Sequence, residues 1–94
     1  MHSLIEQHRE AIRALAANRG IENVRVFGSM ARGDADADSD IDLLVSLPPG
    51  RSGLALGGLL MDVQDLTQRK VDVVTEAGLH PALRERVLRE ACPL

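Results

Sequence analysis

The chain has 94 residues, 45% of them hydrophobic and 27% charged, with a formal net charge of −3. A chain of this size buries about 60–70% of the surface its unfolded form exposes, so it has room for one core and one site, and a single domain over residues 1–94 is expected. With Phe27 as the only aromatic side chain, no Lys/Arg cluster and an acidic balance, neither base stacking nor phosphate attraction is provided for, and nucleic acid is not expected as a direct partner.

Ser3-Leu4-Ile5-Glu6 reads as a capping box, with Ser3 as the cap and Glu6 at the third helical position. Leu4, Ile5, Ile12, Leu15 and Ala16 recur at helical spacing, and Asn18 and Gly20 supply a stop, so a first helix is predicted over residues 4–18. His8 falls on its apolar face; no other His or Cys stands at metal-ligand spacing, so it reads as a packing residue. Val24-Arg25-Val26-Phe27 is a short strand ended by Gly28. Ser29-Met30-Ala31-Arg32 can form one helical turn that Gly33 closes, and residues 34–40 form a polar, acidic loop. Ile41-Asp42-Leu43-Leu44-Val45 is the second strand, and the Pro- and Gly-rich stretch 47–53 cannot continue it. A helix follows over residues 54–68, weakened by Gly57-Gly58, a pair that reads as close packing against the sheet. Val71-Asp72-Val73-Val74 is the third strand, and Pro81 opens a last amphipathic helix through Leu83, Val87, Leu88 and Ala91. Leucines of the first and last helices exceed what so small a core can cover. The order predicts a small α+β domain, with a mixed sheet flanked by helices.

Cys92 is the only cysteine, so no internal disulfide can form. The opening Met1-His2-Ser3-Leu4 lacks the basic and apolar regions of a secretory signal, and no apolar run reaches membrane-spanning length, so a cytoplasmic location is expected.

Three features carry chemistry. Gly28-Ser29 follows a strand directly: a Gly lets backbone approach a phosphate, Ser29 adds a hydroxyl, and the turn aims N–H groups at the same place. By itself the pair also fits an ordinary turn. Asp40 and Asp42 project to the same side if a strand starts there, and two such carboxylates repel unless a cation lies between them. Mg²⁺ suits this donor set, because it takes one or two carboxylates and completes its shell with water and phosphate oxygens. The plain alternative is a solvated acidic loop with Asp34, Asp36 and Asp38. Asp42, however, stands among Ile41, Leu43, Leu44 and Val45, where a carboxylate costs stability unless it is compensated. Asp72 repeats that anomaly between Val71 and Val73; it is either a strand-edge residue facing water or the third member of a carboxylate site. An EF-hand reading of Asp34-x-Asp36-x-Asp38 fails at its sixth and twelfth positions, occupied by Ser39 and Val45.

Gly28-Ser29, ten residues, then Asp40-x-Asp42 resembles the signature of the DNA polymerase β-like nucleotidyltransferase superfamily. The fuller run Phe27-Gly28-Ser29-Met30-Ala31-Arg32-Gly33 is similar to its minimal (MNT) branch, commonly the antitoxin partners of HEPN toxins. The resemblance implies a palm-type nucleotidyltransferase domain in which Gly28, Ser29 and Arg32 bind nucleotide phosphates. It implies that Asp40, Asp42 and Asp72 hold two Mg²⁺ ions, with Asp72 also helping to activate the attacking hydroxyl. Arg32 has an equal alternative as a salt bridge to the acidic loop. The implied reaction is transfer of AMP from ATP to a hydroxyl, a tyrosine of a HEPN-type toxin, within a hetero-oligomer. A catalytically silent antitoxin and a free-standing enzyme acting on a small hydroxyl compound are the competing readings.

Overall fold

In a computed structural model describing residues 1–94, a four-stranded sheet is built from β1 (Glu22–Phe27), β2 (Ile41–Ser46), β3 (Val71–Thr75) and β4 (Cys92–Pro93). Four α-helices accompany it: α1 (Ser3–Asn18), α2 (Ser29–Arg32), α3 (Leu54–Thr67) and α4 (Pro81–Glu90), with a 3₁₀ turn at Glu76–Gly78. The sheet order is β3-β2-β1-β4; β1 runs antiparallel to both β2 and β4, and β2 runs parallel to β3. The expected small mixed α+β sheet is therefore present. Its one parallel pair comes from the crossover through α3, the connection that parallel strands require.

The alternation of β2 divides the molecule. Ile41, Leu43 and Val45 belong to a core of twelve buried residues, with Ile5, Ile12 and Ala16 of α1 and Leu59 and Val63 of α3. Val26 of β1 and Val71 of β3 complete the same face. Asp42 and Leu44 alternate with these residues and so point to the other face. Leu44 is buried there, outside the main core, as is Val87 of α4.

Several local expectations are corrected. His2, not Ser3, caps α1: its Nδ1 accepts from the Leu4 N–H at 3.0 Å, and Ser3 is already helical. His80 caps α4 in the same way through the Ala82 N–H at 3.1 Å, with Pro81 behind it in the first turn. An imidazole nitrogen reaching the amide two residues on does the work usually given to a Ser or Asp oxygen. β1 begins two residues earlier than predicted, because a bulge with Asn23 at φ 54° carries the pairing past an irregular register. Gly57-Gly58 does not pack on the sheet: a Cβ at Gly57 would meet nothing within 4 Å, and one at Gly58 would run into the Arg19 guanidinium, which crosses to Asp62 at 2.7 Å. Leu4 and Leu15 of α1 pack against the core, so the large exposed apolar side chains are Leu54 and Met61 of α3 and Leu83 of α4. His8 is half-buried, its ring bonded to the Leu4 carbonyl at 2.8 Å. No helix is long and apolar enough to cross a membrane.

Candidate active site

The site is assembled where three strands reach one end of the sheet. β1 stops at Phe27, which lies opposite Asp42, and the parallel register sets Asp42 directly beside Asp72. In a parallel ladder, residues in register project to the same face, so the two aspartates in apolar strands become neighbours. Asp40 lies just ahead of β2, near enough for its charge to act on Asp42.

Gly28 makes the transition from β1 to α2 at φ 71°, a region that L side chains rarely adopt. A Cβ there would also come within 2.6 Å of Asp42 Oδ2. Gly28 is therefore required twice, for the left-handed turn and for the close approach of the carboxylate. Its carbonyl accepts from the Ala31 and Arg32 N–H groups, both at 3.1 Å, which winds the single turn of α2. The N–H groups at the start of such a turn have no acceptor within it. Gly33, at φ 85°, closes the turn, and the Met30 carbonyl is tied to the chain start by the His2 N–H at 2.8 Å.

The charges are unevenly matched. Burial, then the neighbouring Asp72 and Asp40, raise the Asp42 carboxyl to about 6, with Arg32 opposing them. Of the cations near the site, Lys70 Nζ reaches only Asp40, at 4.0 Å, and Arg32 bonds Asp34 at 3.1 Å and Glu90 at 3.0 Å. No ion pair reaches Asp42 or Asp72. The three aspartates supply hard oxygen donors of the kind Mg²⁺ takes, and their mutual repulsion is what a cation would relieve. They do not close into a cage of three protein ligands. That fits a divalent ion that keeps water and substrate phosphates in its shell and enters with the nucleotide.

Arg32 thus forms the ion pair with the acidic loop foreseen for it, plus a second one that nothing in the sequence announces. Glu90 lies 58 residues away, at the end of α4. Burial pushes its carboxyl up, but bonds from Arg32 and Arg86 outweigh this and hold it below the usual range. The only sequence sign of it is an acid in the last turn of a helix, where the dipole disfavours negative charge. The rest of the acidic loop is structured by itself: Asp36 accepts from the Asp38 N–H at 2.9 Å and the Ser39 hydroxyl at 3.1 Å, and Arg69 clasps the Asp36 carbonyl at 2.8 Å. None of the three aspartates lines a concavity of the surface; these lie beside Arg13 and Pro93, beside Gln64 and Lys70, and beside Gly20 and Pro49. The carboxylates stand on an open face instead.

The sequence pattern of the nucleotidyltransferase domain family matches residues 5–94. The chain belongs to this family. A Methanocaldococcus jannaschii protein named as a protein adenylyltransferase is 34% identical to it over 87 residues, 93% of this chain and 94% of the relative. The protein adenylyltransferase MntA of Thermococcus cleftensis is 32% identical over 90 residues, 96% of this chain and 88% of the relative. A solved structure described as a minimal nucleotidyltransferase superposes with a TM-score of 0.87 at 48% identity, covering 100% of this chain and 97% of the other. A toxin–antitoxin structure with AMP-PNP shares the fold, with a TM-score of 0.76 at 21% identity over 89% of this chain and 69% of that one. The nucleotidyltransferase accordingly works on a nucleoside triphosphate with a divalent metal, as its family does.

Proposed function

We propose that this nucleotidyltransferase is an antitoxin that transfers AMP from ATP to a hydroxyl, a tyrosine side chain, of a HEPN-type toxin and so silences it. The observation that carries the reading is the register of Asp42 beside Asp72, at the strand end where Gly28 turns. The names of the relatives support a protein as acceptor, and the shared fold of a toxin–antitoxin structure holding AMP-PNP supports an adenine nucleotide and a toxin partner. The single aromatic residue and the net charge of −3 speak against a nucleic acid acceptor. Exposed Leu54, Met61 and Leu83 suit a stable hetero-complex.

In this reading Gly28 leaves room for the triphosphate, and the Ser29 hydroxyl and the first N–H groups of α2 donate to its β- and γ-phosphate oxygens. Arg32 offsets charge on the departing pyrophosphate. Asp40, Asp42 and Asp72 would hold two Mg²⁺ ions, which would supply charge stabilisation at the attacking and leaving oxygens. Asp72, the most open of the three, takes the proton of the acceptor hydroxyl as its oxygen bonds to the α-phosphorus. The bond from that phosphorus to the bridging oxygen breaks, and pyrophosphate leaves.

Asp72→Asn tests the assignment. It should keep ATP–Mg²⁺ affinity within about tenfold and lower transfer by roughly 10²-fold or more, the scale of general-base loss. Calorimetry and labelling of the partner, on one purified variant, measure both. Transfer at the wild-type rate would reduce Asp72 to a strand-edge residue. A wild-type protein that binds ATP but labels no partner would make the chain a binding module.

A further inference from the structure

The last helix has no assigned part in nucleotide chemistry, yet it sends one carboxylate to the phosphate turn. Glu90 Oε1 accepts from Arg32 Nη1 at 3.0 Å and from Arg86 Nε at 3.4 Å, and its side chain is only 20% exposed. Asp34 holds a second edge of the same guanidinium through Nε at 3.1 Å. Two carboxylates from different parts of the chain thus fix a long side chain that α2, a single turn, could not orient alone. A guanidinium has five N–H donors in a rigid fork, so the bonds to Asp34 and Glu90 leave its other donors available. The position of Glu90 works against its helix: a carboxylate in the last turn of α4 meets the negative end of the dipole. Within α4 the acid gains only the i,i+4 pair with the exposed Arg86, whereas its shorter bond reaches outside the helix to Arg32.

We infer that Glu90 is a positioning residue for nucleotide binding, holding Arg32 ready at the phosphate turn, and that α4 thereby forms part of the nucleotide site. The inference rests on the reading of Arg32 as a phosphate-binding residue. Without Glu90, Arg32 keeps only its local pair with Asp34, two residues away on an exposed loop, and must be ordered anew each time a triphosphate arrives. The loss falls on a ligand with β- and γ-phosphates and spares AMP.

The test is a cycle of four proteins, wild type, Arg32→Ala, Glu90→Ala and the double variant, titrated with ATP–Mg²⁺ and with AMP. Arg32→Ala should weaken ATP by roughly tenfold, the scale of one charge-assisted hydrogen bond. Glu90→Ala should weaken it by about threefold to fivefold, less than loss of the guanidinium itself, with AMP affinity unchanged. The double variant should bind ATP as Arg32→Ala does, because Glu90 acts only through Arg32. Losses that simply multiply, an equal loss for AMP, or wild-type or tighter ATP binding by Glu90→Ala would overturn the positioning role. Wild-type ATP binding by Arg32→Ala would instead remove Arg32 from the nucleotide site, and the inference with it. Glu90→Met, which keeps the length of the side chain but has no acceptor oxygen, replaces Glu90→Ala should the latter fail to fold, with the same outcomes decisive.

Discussion

The two faces of β2 are made by the same six residues and obey opposite rules. Ile41, Leu43 and Val45 are sealed against α1 and α3, with at most 1% of any of them exposed. Asp42 lies between them in sequence and forms no ion pair; burial, Asp72 and Asp40 together raise its carboxyl to about 6 against the partial opposition of Arg32. One face is matched within the chain, and the other is left unmatched. The difference teaches where to look for a ligand: a strand that satisfies every apolar side chain and leaves its one carboxylate unsatisfied is shaped by something outside the chain.

Substitutions on the two faces should therefore move stability in opposite directions. Leu43→Ala opens a cavity in the sealed face and should cost about 3–4 kcal/mol, read as a fall in the denaturant midpoint. A loss under roughly 1 kcal/mol would mean that the core rearranges freely and that the contrast is overdrawn. Asp42→Asn should do the reverse at neutral pH. A carboxyl whose folded pKa lies above its unfolded value binds its proton more tightly when folded, so it destabilises the fold once it is charged. That penalty is absent below about pH 4, grows as the pH rises through about 6, and is complete above it. Asp42→Asn should therefore gain about 2 kcal/mol at pH 7.5, after allowance for solvent screening, and nothing at pH 4. Melting curves at the two pH values check the sign; a neutral-pH loss would show that the Asp42 charge is already compensated. Smallest is a change on neither face. Gly57→Ala, on the open side of α3 with nothing near its Cβ position, should stabilise by about 0.5–1 kcal/mol. Destabilisation would show that Gly57 needs its freedom in the isolated chain.

Much of this was legible in the sequence. The strands around Asp42 and Asp72 were readable because an aspartate in an apolar run breaks a pattern, and Gly28-Ser29 because the break falls directly after a strand. The adjacency of the two aspartates hung on whether β2 and β3 are neighbours, which the crossover through α3 decides. Other features left no local mark. β4 is two residues long and contains Pro93, which an edge strand tolerates, so it exists only because β1 offers it a free edge. The His2 and His80 caps were hidden because a ring nitrogen replaced the usual oxygen. Glu90 reads as an ordinary partner of Arg86 at i,i+4, and only the folded chain shows that it also holds Arg32. Pairing across 58 residues is a property of the fold, not of a motif.

The central claim is that the unmatched face is the site of nucleotidyl transfer, and Asp42→Asn tests it most directly. The variant and the wild type are each given α-phosphate-labelled ATP, Mg²⁺ and the partner protein, and the label reaching the partner is counted. The expected result is a folded variant, at least as stable as wild type at pH 7.5, whose labelling falls by roughly 10²-fold or more, as when metal-held charge stabilisation is lost. Labelling at the wild-type level by that folded variant would contradict the claim.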